Sequence, residues 1–376
     1  MKIKDIGEQG LLTVLQRFCP QEIVGDDAAI IATKADRSLA VTTDMLVDRV
    51  HFSDRTTGPY YAGWRAAAAN LSDLAAMGAT PVAVTVALGV TGDTALEWVE
   101  EFYRGMTACL QAYSTPIVGG DIVRSPAVTV AITAFGEVES DRTIRRSNAR
   151  SGWAIAATGV HGASRAGLEL LLNSQLGQNL GEVDRAALIL AHQRPIPRLD
   201  VLPVLWEIVE KHCAVAPPLS PPLVKGEKQE ENSTLVSEGK QQLNSPPRSS
   251  GGLGGVKSAI AIAGMDSSDG LADAIVQICR SSKVGARIDR SRVPVPDALN
   301  QIVSPQQALN WALYGGEDFE LVLCLPSELA EELVKILGNG SAIVGNITDS
   351  SDILLTDSTG KYADEELTIA QGFQHF

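Results

Sequence analysis

Aspartate recurs along this chain in short clusters with small or oxygen-bearing neighbours. Residues 24–30, VGDDAAI, place Asp26 and Asp27 between a glycine and an apolar run. LAVTTD brings Thr42, Thr43 and Asp44 to the expected end of a strand, where three side-chain oxygens suit a rim rather than a core. In WRAAAANLSDLAAMG, Asn70 and Asp73 are three apart and share a helical face. TPIV leads into Gly119, Gly120 and Asp121, and AIAIAGMDSSDGLADAI sets Asp266, Ser267, Ser268 and Asp269 between a strand and a helix. Each cluster alone has an ordinary structural reading: a solvated turn for Asp26–Asp27, a strand terminator for Asp44, a solvated helix face for Asp73, helix caps for Asp266 and Asp269. Adjacent carboxylates repel, however, and burying an unpaired one costs several kcal/mol. Their recurrence in a chain with only 5 histidines favours one shared site neutralised by cations.

Hard oxygen donors, without paired thiolates or histidine clusters, select Mg²⁺ or a similar ion over Zn²⁺. Mg²⁺ is usually held by a few carboxylates together with substrate phosphates, so the cations in turn imply a phosphate ligand. The turn Ser267-Ser268-Asp269-Gly270, opening a helix, offers backbone N–H donors to such a group. So does the Gly-rich stretch TGVHGASRAG. That stretch falls short of a G-x-S-x-G elbow, because two residues separate Ser164 from Gly167. The chain has no G-x-x-x-x-G-K-[ST] loop and no protein-kinase H-R-D or D-F-G set, so ATP chemistry here requires another scaffold.

The elements that must position these residues alternate. Strands are expected at 38–43, 82–88, 127–135, 153–158, 258–263, 319–325 and 341–347, and helices at 62–77, 94–112, 163–173, 198–212, 269–282 and 327–337. This is an α/β or α+β chain with mixed sheets. The basic, turn-rich RTIRRSNARSG marks a boundary near 150, giving an N-terminal domain 1–150 and a C-terminal domain 151–376. Residues 214–257 stand apart, with 6 of the 18 prolines and no aromatic residue. They are expected to form a disordered insertion. The alternative is a docking segment read through its prolines.

With 376 residues and 45% hydrophobic content the chain can build two real cores. A net charge of −14 argues against nucleic-acid or anionic-membrane partners, although bound cations can reverse the local sign for an anionic substrate. The 5 cysteines are scattered, with no C-x-x-C, so neither a disulfide framework nor a zinc site is expected, and a reducing cytoplasm fits. MKIKDIGEQG has no apolar core of a signal peptide. Residues 74–92 are interrupted by Pro81 and glycines, and read as a helix end, a turn and a buried strand rather than a membrane span.

Taken in order, VGDDAAI, TTDMLVDRVHF, NLSDLAAMGATP, GGD, RSNARSG, DSSDGL and GGEDFEL closely resemble the thiamine-monophosphate kinase family, within the ATP-binding superfamily of aminoimidazole ribonucleotide synthetase. The likeness runs to the closing GFQHF, with 214–257 as its gap. It implies ATP-dependent phosphorylation of thiamine monophosphate to thiamine diphosphate. It also implies two α/β domains, a homodimer formed through the N-terminal sheet, and nucleotide in the cleft between domains. By the same resemblance, Asp27, Thr42, Thr43, Asp44, Asp73, Asp121, Asp266 and Asp269 match Mg²⁺ ligands. Tyr103, Gly119, Gly120, Asp121, Arg146 and Ser268 match the ATP side, and His51, Glu317 and Phe373 the thiamine-phosphate side. Asp44, Asp121 and Arg146 are expected to carry the transfer, while Asp26 caps the turn or supports Asp27 from behind. The acceptor is a phosphate monoester with a second pKa of about 6, already mostly ionised at neutral pH, so direct in-line transfer needs no protein nucleophile or general base. Two relatives are disfavoured. Cys19 precedes Pro20 and lacks the context of a selenophosphate synthetase cysteine, and the chain does not end in the cysteine of hydrogenase-maturation proteins. A non-catalytic cation-binding protein is the reading from another class, and no EF-hand spacing supports it.

Overall fold

The computed structural model describes residues 1–20, 29, 31–215, 260–338 and 340–372. The first half builds α1 (Ile3–Leu15), β1 (Arg37–Val47), α2 (Pro59–Ala76), β2 (Thr80–Val90), α3 (Leu96–Ala112), β3 (Ile117–Arg124) and β4 (Thr129–Glu139). The strands form one sheet in the order β1-β4-β2-β3, with only the β2–β3 pair parallel. Alternation along β1 separates two faces. Leu46 is buried with the helices, whereas Leu39, Val41 and Met45 are 48%, 56% and 55% exposed. Val123 on β3 is exposed too. Helices therefore cover one face of this sheet and leave the other open. The covering pair crosses at glycines: a Cβ on Gly63 would stand 1.9 Å from the Phe102 carbonyl oxygen, and one on Gly105 1.7 Å from that of Tyr60.

The second half contains β5 (Ala154–Ala157), α4 (Ala163–Leu172), α5 (Glu182–Gln193), α6 (Val201–Val215), β6 (Ala263–Asp266), α7 (Leu271–Ser282), β7 (Gly285–Asp289), α8 (Pro305–Tyr314), β8 (Leu321–Leu325), α9 (Ser327–Leu337), β9 (Ala342–Thr348), β10 (Ile353–Thr356) and β11 (Glu365–Glu366). Its seven strands run β11-β10-β7-β9-β5-β8-β6, antiparallel except for β7–β10. On β8, Val322 and Cys324 join the core beneath α7, and Leu321, Leu323 and Leu325 join the core beneath α6 and α9. That explains the unbroken apolar run FELVLCL, since both faces are covered. No strand of either sheet lies between Glu139 and Ala154. Among the described residues no helix is long and apolar enough to cross a membrane.

Several expected elements shift. β1 continues to Val47, so Thr42, Thr43 and Asp44 sit inside a strand rather than at its end. Gly119, Gly120 and Asp121 lie within β3, where no strand was expected. The strand expected at 258–263 falls on Ala263–Asp266, with 258 and 259 outside the described residues. α1, α5 and α8 appear where no helix was expected; α8 carries a Ser304 N-cap followed by Pro305, a start signal too short-ranged to stand out.

Candidate active site

α2 joins the two sheets. Thr42 donates its hydroxyl to the Asp73 carboxylate, and the Asp44 backbone N–H donates to Asn70 Oδ1 at 3.2 Å. One residue from Asp73, Ser72 Oγ donates to Asp266 Oδ2 of β6 at 2.7 Å, and Ser268 Oγ donates to the other oxygen at 3.1 Å. The NLSD stretch thus turns Asn70 and Asp73 to β1 and Ser72 to β6. Its Ala-rich surroundings let both sheets approach the helix backbone.

The carboxylates gathered there sense one another. Burial pushes Asp44 up to about 6, with Asp73 and Asp269 adding repulsion. Asp266 is pushed up to about 7 by burial and by Asp73. Asp73 is raised by burial, against the pull of the Thr42 hydroxyl and the Arg146 guanidinium. Arg146 itself is exposed, on the turn Arg146–Asn148, whose first carbonyl accepts from Ser282 Oγ at 2.7 Å. Four carboxylates and one guanidinium therefore share the seam between the sheets. An all-oxygen donor set of this kind fits Mg²⁺. Among the described residues no three acidic, His or Cys side chains are close enough to hold a metal ion by themselves.

Asp121 is not brought to that cluster within one chain. Asp44, Ile132, Val86 and Gly120 form one row across the sheet, so β1 and β3 are three strand spacings apart, roughly 14 Å. Asp121 is one residue further and on the opposite, open face. Gly119 shares that face. Gly120 leaves no room for a side chain, since a Cβ would lie 2.0 Å from the Val86 carbonyl oxygen.

The turn at Ser267–Gly270 is braced from the second sheet. Ser267 N–H donates to the Glu320 carbonyl at 2.8 Å, and Ser267 Oγ accepts from Glu320 N–H at 3.1 Å. The TGVHGASRAG turn differs from its expected role as a phosphate cradle. The N–H groups of Gly162 and Ser164 donate to the half-buried Asp318 carboxylate at 2.7 and 2.9 Å, so the protein fills the start of α4 with its own acid. Burial pushes Asp318 up to about 7 despite those donors.

Its neighbour Glu317 serves a different partner. Gly316, Glu317 and Phe319 have φ of 66°, 59° and 54°, so the backbone turns left-handed around the pair. Glu317 N–H donates to the Ser268 carbonyl at 2.7 Å, and its carboxylate accepts from Arg65 of α2. Burial would raise Glu317, but the Arg65 guanidinium, with His192 and His51, holds it below the usual carboxylate range. His51 belongs to this group, and its Nδ1 accepts the Val47 N–H at 3.1 Å, which leaves Nε2 to carry the proton of the neutral ring.

The chain matches the family models of AIR synthase related protein, N-terminal domain over residues 25–138 and C-terminal domain over 253–357. It is 43% identical to the thiamine-monophosphate kinase of Synechococcus elongatus over 376 residues, covering 100% of this chain and 98% of the relative. The chain belongs to the thiamine-monophosphate kinase family. The Escherichia coli K12 thiamine-monophosphate kinase is 33% identical over 81% of this chain and 76% of its own. Among solved structures, AaThiL complexed with AMPPCP and TMP is similar with a TM-score of 0.65 and 26% identity, over 100% of this chain and 99% of that one. The E. coli hydrogenase maturation protein HypE shares the fold alone, with a TM-score of 0.68 and 15% identity over 96% and 97%.

Of the residues expected from the thiamine-monophosphate kinase resemblance, the structure groups Thr42, Asp44, Asp73, Arg146, Asp266, Ser268 and Asp269, and beside them His51 with Glu317. Thr43 turns to the open face and bonds Thr133 at 2.9 Å. Tyr103 is buried on α3 between Phe18 and Phe102, in the first core, where burial pushes its phenol up. Asp26, Asp27 and Phe373 lie outside the described residues. Ser72, Arg65 and Asp318 are the site neighbours that sequence reasoning missed. For Ser72 and Arg65 the available signal was a polar side chain inside an otherwise small-residue helix.

Proposed function

We propose that this chain transfers the γ-phosphoryl group of ATP to thiamine monophosphate, yielding thiamine diphosphate and ADP. Membership of the family and the likeness to AaThiL with AMPPCP and TMP support the substrates. The observation that carries the chemistry is the seam of Asp44, Asp73, Asp266 and Asp269 between two sheets. These residues, with Asp27 from the preceding segment, would hold Mg²⁺, which supplies neutralisation of the phosphate charges. Arg146, a planar fixed donor across from Asp73, suits a phosphate oxygen. Glu317 and His51 face the acceptor.

Transfer is direct. Among the described residues two Ser–His pairs occur, Ser267 with His161 at 3.1 Å and Ser164 with His192 at 3.3 Å, but all four residues are buried and engaged in the frame. The remaining obstacle is repulsion between two anions, which positioning and charge neutralisation overcome. A homodimer completes this reading. The open sheet face carries Leu39, Val41, Met45 and Val123, and among the described residues both edge strands end the sheet unpaired. Pairing β1 with β3 of a second copy would close the sheet and bring the second copy's Asp121 to the strand next to Asp44, on the other face of that sheet. The deciding assay is ADP release from protein, ATP and Mg²⁺ on adding thiamine monophosphate. Release that depends on this acceptor supports the function, and none with it, or release with another phosphorylated acceptor instead, overturns it.

A further inference from the structure

We infer that Arg65 is a positioning residue that holds the Glu317 carboxylate in its acceptor-facing pose; this rests on the thiamine monophosphate reading of the site. Arg65 is 3% exposed, yet the Glu317 side chain above it is 35% exposed. A buried cation thus sits under a carboxylate that substrate can reach. Leaving the carboxylate end open keeps its desolvation cost low while the buried guanidinium holds its position. Arg65 Nη2 donates to Glu317 Oε1, and Nη1 donates to the His192 carbonyl oxygen at 2.5 Å. The guanidinium fork therefore spans from the α5 end to Glu317, a reach that a single ammonium cannot reproduce.

The base of that fork is itself fixed. Trp64 Nε1 donates to the Pro195 carbonyl at 2.8 Å, and Arg194 stacks 4.0 Å over the Trp64 ring. Gln193 Nε2 donates to the Thr56 carbonyl at 2.7 Å. The end of α5 and the residues after it are thus strapped to Trp64, next to Arg65 on α2, and to Thr56 just before α2. Arg65 Nε, buried, has no partner among the described residues, so the side chain is committed through its two terminal nitrogens. At the other end, Glu317 has a left-handed backbone, and its N–H donates to the Ser268 carbonyl. Its side-chain direction is set by Arg65. Because Glu317 stands on the acceptor side, loosening it affects acceptor binding and spares the nucleotide.

Steady-state kinetics of Arg65→Gln, Arg65→Lys, Glu317→Gln and the Arg65→Gln/Glu317→Gln double variant test this. The KM for thiamine monophosphate should rise about tenfold in Arg65→Gln with the KM for ATP changed less than about twofold, and Arg65→Lys should recover only part of the loss. The double variant should be no worse than Glu317→Gln alone, because Arg65 acts through that carboxylate. Losses that multiply in the double variant, or equal rises for both substrates, would overturn the inference. If Arg65→Gln does not fold, Arg65→Lys carries the same split, and an equal rise in both KM values there is equally fatal. A wild-type protein inactive on thiamine monophosphate overturns the functional reading and this inference together. An active wild type with a neutral Arg65→Gln overturns the inference alone.

Discussion

Ser72 of α2 and Asp266 of β6 are joined by a 2.7 Å hydrogen bond that ties the helix of one sheet to the strand of the other. Asp266 is 3% exposed and has two hydroxyl donors, Ser72 and Ser268. Removing one leaves a buried carboxylate oxygen unsatisfied, which costs about 1–3 kcal/mol. Ser72→Ala is therefore expected to lower the melting temperature and to raise the Mg²⁺ concentration needed for half-maximal turnover. Thermal melts and a Mg²⁺ titration measure both, and an unchanged Mg²⁺ requirement would separate Asp266 from the cation site.

The distance between Asp44 and Asp121 within one chain gives a sharper test. Asp44→Asn and Asp121→Asn should each lower turnover by more than about a hundredfold, whereas Asp36→Asn, on an exposed turn, should not. If each site takes Asp44 from one copy and Asp121 from another, mixing the two inactive variants after subunit exchange rebuilds one intact site per mixed dimer. Activity should return to roughly a quarter of wild type. No recovery despite demonstrated exchange would place both residues in one copy's site.

Stability should depend on pH in a way that Mg²⁺ removes. Asp44, Asp266 and Asp318 are raised to about 6, 7 and 7, from an ordinary 3.8. In that window the folded chain holds their protons more tightly than the unfolded chain, so stability falls as pH rises. His161 and His192 are lowered to about 4 from 6.5 by burial, and act oppositely, losing stability as pH falls through 6.5 toward 4. Asp73 and Glu320 add to the first group and Glu317 to the second. The carboxylates outnumber the imidazoles, and each net proton is worth about 1.4 kcal/mol per pH unit. In EDTA the melting temperature is expected to be lower near pH 7.5 than near pH 5, with Mg²⁺ restoring it most at the higher pH. A higher melting temperature at pH 7.5 in EDTA contradicts the convergence.

The segment 217–255 is expected to be dispensable. α6 runs to Val215, and Ile260 packs into the same core as α6 residues Leu205 and Ile208, so the chain leaves and rejoins one layer. Loop-closure cost grows by only about 0.6 kcal/mol per doubling of length. Replacing 217–255 with a short Gly-Ser linker should keep turnover and melting temperature near wild type, and a large fall in either would give that segment a structural or catalytic role.

Much of this arrangement was legible in the residues themselves. Apolar periodicity located α2, α3, α4, α7 and α9, and the unbroken FELVLCL run located a strand covered on both faces. The recurrence of aspartate in small-residue settings pointed to the convergence of Asp44, Asp73, Asp266 and Asp269. Other features depend on long-range order that spacing does not encode. The order β1-β4-β2-β3 is what parts Asp121 from Asp44. β3 was obscured by Gly119 and Gly120, residues that weaken strand preference. The Gly162–Ser164 turn has the donors of a phosphate cradle, but only the tertiary fold shows Asp318 occupying them. Arg65 looks like one more solvated helix charge until α5 and the Gly316–Phe319 turn are seen to close over it.

The uncovered face of the four-stranded sheet would, if two copies pair there, give the catalyst a kinetic order in itself. If sites assemble only when two such faces meet, turnover per chain is not a constant of the molecule but rises with protein concentration and reaches a plateau. Dilution in the assay cuvette would then silence the enzyme without unfolding it, and newly made chains would be exposed, sticky and inactive until the first encounter with another copy.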